Sequence, residues 1–204
     1  MNKCKQCKKL FEPVFSTTQQ VCSIECSKLF TRSVKGKKLQ TKLDKERTKE
    51  QKEKIKTTAD WKKELQPLVN KIARLIDFGQ PCIATGNFNG KMNGGHRISV
   101  KANETIRFHL DNIHIQSEHS NKWQGGDNFK YSQGIKRIYG LAYLDYLDSL
   151  NQIKPIKLSI EQIKETIAIC RTIIKELESE PKIRSAQERI ELRKELNKRI
   201  GIYN

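Results

Sequence analysis

Apolar positions along this chain recur mainly at helical spacing. Trp61, Leu65, Leu68, Ile72 and Leu75 fall at i, i+4, i+7, i+11 and i+14, one face of a helix. Pro67 stands inside that run and is expected to kink its first turns. Gly79 and Pro81 close it. From Tyr131 to Leu150 the period is helical again, with Ile135, Ile138, Leu141, Leu144 and Leu147 apolar, and Pro155 breaks it. Ser159 and Gln162 then form a capping-box pattern. Ile160, Ile163, Ile167, Cys170, Ile174 and Leu177 give the following helix its apolar face, where Cys170 reads as a small core residue. A last, strongly charged helix is expected after Pro181.

Residues 82–110 interrupt this period. Short apolar runs alternate with Gly and Asn, and Asn87, Asn89, Gly90, Asn93, Gly94 and Gly95 favour turns. Two short strands are expected, around 96–100 and 105–110, as a hairpin or an irregular ribbon. Residues 118–124 could open a short helix. Residues 31–60 lack a continuous apolar stripe. From Arg32 to Lys63 there are 13 basic and 5 acidic residues, which suits an exposed helix or a flexible basic linker. A solvated spacer with no partner is the plain alternative.

Composition narrows the class. Of 204 residues 36% are hydrophobic and 31% charged, too polar for one large core and suited to small modules joined by charged helices. No apolar run approaches the ~18–20 residues of a membrane span. The start, Met-Asn-Lys-Cys-Lys, lacks a signal-peptide core, so the expected setting is soluble and cytoplasmic. The formal charge is +17. Such an excess attracts a polyanion, because each neutralised phosphate releases counterions. An anionic membrane fits less well, since no basic amphipathic helix has a strong aromatic face.

The six cysteines are not scattered. Cys4-x2-Cys7-x14-Cys22-x3-Cys26 supplies two short-spaced thiolate pairs, the ligand set of a tetrahedral structural Zn2+. Zinc would drive the folding of a segment too small to fold alone. Lys3, Lys5, Lys8 and Lys9 surround the first pair, so the module could also touch phosphate. All four histidines, His96, His109, His114 and His119, fall within 24 residues, beside Asn112 and Asn121. Imidazole beside a divalent ion suits phosphodiester hydrolysis. A structural metal site or surface histidines would give the same pattern.

This segment resembles the HNH endonucleases, and more closely the NinG/Rap family of phage recombination nucleases. The residues that carry the likeness are Pro81-Cys82-Ile-Ala-Thr85-Gly86, Gly94-Gly95-His96, Arg107-Phe108, and Asn112-Ile-His114-Ile-Gln116-Ser117-Glu-His119-Ser120-Asn121. Gly126-Asp127-Asn128 through Tyr131 continues it, and the likeness covers roughly residues 3–147. Together with the residue pattern it gives an α+β fold in four parts: a Cys4 zinc module (1–30), a basic helical region (31–80), a ββα-metal HNH-like core (81–150) and, with no family signal, C-terminal helices (151–204).

The resemblance also implies roles. His96 matches the general base, Asn112 the central asparagine, Asn121 the final motif position near the metal, and His114 a ligand or phosphate contact. His96, Asn112 and His119 would form the neighbourhood of a catalytic Mg2+ or Mn2+. Arg97, Arg107 and Lys122 would meet phosphate, and Lys42, Lys45, Lys49 and Lys52 would lie along one arm of branched DNA. A homodimer would suit a symmetric junction. The chain departs from the family where four core cysteines resemble a second zinc site: only Cys82 remains, with Thr85, Ser117 and Ser120 at the other three positions. Packing is expected to replace that staple. Gly95 also stands where HNH enzymes often carry an acidic residue.

Three functions follow from the sequence. The first, which the resemblance implies, is a metal-dependent endonuclease for branched recombination intermediates, encoded by a phage and acting in its bacterial host. The second is a DNA-binding protein whose HNH core has lost its chemistry. The third is an adaptor whose zinc module and helices recruit a protein.

Overall fold

The computed structural model describes residues 1–123 and 128–203, the side chains of Lys122 and Trp123 excepted. It is α+β and forms two units, Met1–Lys56 and Thr57–Asn204.

In the first unit a two-residue hairpin, β1 (Asn2–Lys3) and β2 (Leu10–Phe11), pairs antiparallel with Lys3 opposite Leu10. Helix α1 (Ile24–Arg32) starts at Ser23, whose hydroxyl accepts from the Cys26 N–H. Ser33 ends α1 and caps α2 (Val34–Ile55), accepting from the Gly36 N–H at 3.1 Å. Gly36 is buried at this elbow, and a Cβ there would lie 1.8 Å from the Phe30 carbonyl oxygen. No other residue of α2 is buried. The basic stretch is therefore an exposed helix, supported by i,i+4 contacts such as Gln40–Asp44 at 2.8 Å and Lys42–Glu46 at 3.9 Å, each worth a few tenths of a kcal/mol.

The second unit is built on α3 (Thr58–Ile76), whose Thr57 and Asp60 form a reciprocal capping box. Pro67 lies inside α3 and cannot donate to the carbonyl four residues earlier, that of Lys63. The apolar face of α3 packs on α7 (Ile160–Ser179), with Leu65, Val69, Ile72, Ile163, Cys170 and Ile173 fully buried. Helix α8 (Ala186–Ile200) adds Leu196 and Ile200 to this core. So α3 and α7, which the sequence reading assigns to different parts, share one core.

The hairpin of this unit is β3 (Met92–His96) and β4 (Ile113–Ser117), antiparallel, with Gly95 opposite His114. Helix α4 (Glu118–Trp123) follows directly. The strands expected at 96–100 and 105–110 are not the ones that form. Gly94 and Gly95, read as turn residues, lie in β3 because nothing larger fits. A Cβ on Gly94 would meet the Asn70 carbonyl oxygen at 2.9 Å, and one on Gly95 would meet Gln116 Oε1 at 1.9 Å. The segment between the strands is coiled instead, with the Ala102 and Asn103 N–H groups turning back to the Ser99 carbonyl. The single helix expected over 131–150 is two, α5 (Asn128–Tyr139) and α6 (Leu141–Ser149). They are separated by Gly140 at φ 89°, a backbone state that suits glycine. A second apolar cluster unites Cys82, Ile83 and Ile106 with Tyr131, Ile135 and Leu147 of these helices.

A buried polar hub ties the elements together. Asp77, the C-cap of α3, accepts from the Ile115 N–H of β4 at 3.0 Å and from Arg193 Nη2 of α8 at 2.8 Å. Arg193 is fully buried and also donates to the carbonyls of Leu110 and Ile113. Asn197, one turn on, caps the Leu110 N–H and binds Asp111. The C-terminal helix thus grips both sides of the turn that enters β4.

Removing Arg193 leaves the buried Asp77 carboxylate with only the longer contact to Arg189 Nε at 3.7 Å. Arg193→Ala is expected to lower unfolding stability by about 3–5 kcal/mol in urea titrations, more than loss of the exposed Lys71–Glu178 pair, which should cost under ~1 kcal/mol.

Candidate functional site

Two places carry chemistry, one in each unit. In the first unit the Sγ atoms of Cys4, Cys7, Cys22 and Cys26 all lie within 4.8 Å of one another. Cys7–Cys22 and Cys22–Cys26 stand at 3.5 and 3.6 Å. A tetrahedral Zn2+ with ~2.3 Å bonds needs sulfur pairs about 3.8 Å apart. The β1–β2 turn presents the first pair: the Cys4 N–H donates to the Lys9 carbonyl, and the Lys8 N–H returns to that of Cys4, with Lys8 left-handed at φ 67°. The second pair comes from the start of α1.

These thiols cannot all ionise unaided. Burial raises the pKa of Cys4, yet hydrogen bonds from neighbouring backbone N–H groups bring it down to about 6. Cys22, sharing hydrogen bonds with Cys7 and then Cys26, is pushed up to about 12. A divalent cation between the sulfurs relieves that conflict, so the four thiols fit structural zinc. Stripping the metal with a strong chelator is expected to remove helical circular dichroism from α1 while the second unit keeps its cooperative melt. Loss of both together would show that the second unit also depends on zinc.

The four core positions that resemble a second zinc site do come together, as one thiol, Cys82, and three hydroxyls, Thr85, Ser117 and Ser120. Burial opposes ionisation of Cys82, but contacts from Ser117 and Thr85 hold its pKa below the ordinary thiol value. Ser117 Oγ accepts from the Ser120 N–H, and Ser120 Oγ accepts from Gln116 Nε2. The turn at Cys82 also repeats the turn at Cys4. The Cys82 N–H donates five residues ahead to Asn87, the Gly86 N–H returns to the Cys82 carbonyl, and Gly86 is left-handed at φ 72°. The backbone of a metal knuckle persists with hydrogen bonds in place of the ion. The triple variant T85C/S117C/S120C should therefore take up one additional zinc per chain and melt a few degrees higher. Unchanged zinc content would show that the side chains do not converge as ligands must.

The second place is a cleft of about 590 Å³ between α3 and β3. Four cations line it, Lys63, Arg74, Lys91 and Arg107, with the amides of Asn70, Asn93 and Asn121. Arg74 Nε has no hydrogen-bond partner among the described residues. Among the described residues no Asp or Glu lines this cleft; Glu104 meets Arg107 Nη1 at 3.4 Å from outside the lining.

His96 stands half-buried at its edge, touching two lining residues. Its Nε2 lies 2.9 Å from the Arg107 carbonyl oxygen and 3.3 Å from Gln66 Nε2. A carbonyl only accepts, so Nε2 carries the proton and Nδ1 is left as the basic nitrogen. Burial lowers the pKa of His96, the Arg107 carbonyl opposes this, and the Arg107 charge lowers it further. The ring is neutral at pH 7 and able to accept a proton.

The other sequence candidates are placed differently. Asn112 is buried and spends its side chain on the chain itself: Oδ1 accepts from the Ile98 N–H at 2.9 Å, and Nδ2 donates to the Ile98 carbonyl at 3.0 Å. It braces the residues just past His96 and does not reach the cleft. His114 is fully buried on the far side of the hairpin, with Nδ1 3.1 Å from the Tyr131 hydroxyl. Its Nε2 has no hydrogen-bond partner among the described residues, and burial with the charges of Arg193, Arg189 and Arg97 keeps its pKa well down. Asn121 reaches the cleft; His119 is exposed on α4.

Arg107 lines the cleft, whereas Arg97 is engaged with Asp148 at 2.7 Å and Ser132. Lys42, Lys45, Lys49 and Lys52 lie exposed on α2, in the first unit. The Lys122 side chain lies outside those described, as do Gly126 and Asp127. The structure therefore gathers His96, Arg107 and Asn121 and leaves Asn112, His114 and His119 apart. Sequence reasoning missed Lys63, Gln66, Asn70 and Arg74. Their spacing along the polar side of α3 is itself helical and was the available signal.

Together these features define a basic α+β protein that combines a four-cysteine module able to hold a metal ion with a hairpin-and-helix unit bearing a cationic cleft. The family described as Bacteriophage Lambda NinG protein matches residues 1–180, and the chain belongs to that family. No curated protein and no solved structure matches the chain. Among the described residues no helix is long and apolar enough to cross a membrane.

Proposed function

We propose that the protein is an endonuclease that cuts branched DNA in phage recombination, a Holliday junction or a D-loop, and that the cleft between α3 and β3 is where it cuts. The observation that carries this is the state of His96: neutral, with Nε2–H fixed on the carbonyl of Arg107, which lines a cleft with three further cations.

Phosphates would seat against Lys63, Arg74, Lys91 and Arg107, which neutralise the backbone without reading bases. The Nδ1 of His96 takes the proton from the attacking water as its oxygen bonds to phosphorus; the bond to the 3′ oxygen breaks, and that oxygen leaves as a hydroxyl by taking a proton from solvent. The Arg107 guanidinium, held by Gln66 Oε1 at 3.1 Å, stabilises charge on the phosphoryl oxygens. The HNH resemblance implies Mg2+ or Mn2+. The described cleft does not fit a resident ion of that kind, which binds through carboxylates, so these steps use only the chain's own groups.

A second function, favoured by a described lining whose polar side chains are all cations or amides, is a zinc-containing DNA-binding or adaptor protein without catalysis.

The test is cleavage of a labelled four-way junction and a linear control with Mg2+, Mn2+ or EDTA. Wild type is expected to cut the junction, and His96→Ala to cut roughly 10²–10⁴-fold more slowly with binding retained. Because the His96 pKa is lowered, the base form persists as pH falls. The acid limb of the rate should lie below pH 6.5, the ordinary imidazole value. Tight junction binding with no cutting under any metal leaves the second function standing.

A further inference from the structure

The first unit holds a second concentration of charge that the cleft does not explain. At the elbow between α1 and α2 a groove of about 520 Å³ is lined by Lys5, Lys8, Lys35, Lys38 and Lys42, floored by Phe30 and Leu39, with no carboxylate. The lysines come from three places in the sequence: the metal-binding turn, the first turns of α2 and the turn after them. Lys42 meets Glu46 at 3.9 Å; the other four make no ion pair among the described residues.

Their convergence is built in. Lys5 and Lys8 are fixed by the turn, with the Lys5 N–H on the Gln20 carbonyl and Lys8 Nζ donating to the Lys5 carbonyl at 2.8 Å. Lys35 and Lys38 are brought opposite by the elbow, which closes only because Gly36 has no Cβ to strike Phe30. The first turn of α2 contains no acidic residue, so the positive end of the helix dipole adds to the lysines. A zinc tetrathiolate carries a formal double negative charge. Five ammonium groups exceed that, and a net positive groove is left.

The middle of α2 differs. Lys45, Lys49, Lys52 and Lys56 share their surface with Asp44 and Glu53, so about half of their charge is offset locally, whereas the lining of the elbow groove holds no acid.

We propose that this elbow groove, rather than the middle of α2, is the non-catalytic docking site of the protein for the DNA backbone. It rests on the DNA-cutting function proposed above and names a surface of its own for holding the substrate. Lysines on a flexible-stemmed, base-blind surface give affinity without sequence preference, so the groove should grip junction and linear duplex alike.

The experiment compares full-length, zinc-loaded proteins for binding to a four-way junction and a linear duplex over a range of salt. One variant is K5Q/K8N/K35Q/K38Q, with Asn at position 8 because it tolerates the left-handed backbone there. The other is K45Q/K49Q/K52Q. Zinc content and circular dichroism establish that each is folded. The groove variant is expected to bind both DNAs on the order of tenfold or more weakly, its log K against log salt slope becoming shallower by about 3 to 4. The mid-helix variant should change that slope by about 1 or less. Equal slopes for wild type and the groove variant, or a larger loss in the mid-helix variant, would overturn the docking site and leave the nuclease function intact. A wild type that binds neither DNA would overturn both.

Discussion

The second unit depends on one carboxylate. Asp77 ends the first core helix, receives the backbone of β4, and neutralises an arginine buried completely by the last helix. A charge pair taken wholly out of water is a poor source of net stability, because desolvation offsets most of the attraction. Its value here is geometric. Arg193 can be satisfied only when α3, the turn before β4 and α8 are all in place. Hydrophobic contact alone would allow α8 to slide along the α3–α7 core; the guanidinium does not.

The role of the C-terminal quarter follows. Nothing in the chemistry of residues 151–204 suggests a site, and the structure uses them as support. α7 covers the apolar face of α3, so the polar face of the same helix is turned to the cleft with Lys63, Gln66, Asn70 and Arg74. One helix serves both purposes because the two sets of residues keep the same period out of phase.

Local signals were legible in the sequence and pairings were not. The capping box at Ser159, the apolar faces of α3 and α7, the buried Cys170 and the four-thiol module follow from spacing along a single element. The strands did not, because Gly94 and Gly95 read as turn residues until one knows that Asn70 and Gln116, from two other elements, press against them. The histidine cluster misled in part for the same reason. His96 and His114 are on neighbouring strands, but β-pleating and register send His114 into a nest of Tyr131, Tyr139 and Tyr143. Asn112 is informative in a different way: its side chain closes the loop past His96 through backbone bonds, a task no composition rule separates from ligation.

The two like turns, one at Cys4 and one at Cys82, have unequal exposure to oxidants. In the first unit Cys7 is open to solvent, and peroxide that converts a thiolate to sulfenic acid would eject the ion and with it the fold of that segment. In the second unit hydroxyls of Thr85, Ser117 and Ser120 stand where thiolates would, and its two thiols, Cys82 and Cys170, are fully buried. Hydroxyl groups have no such oxidation chemistry. Oxidation would therefore cost the protein its four-thiol module first, while the unit carrying the cleft stays folded.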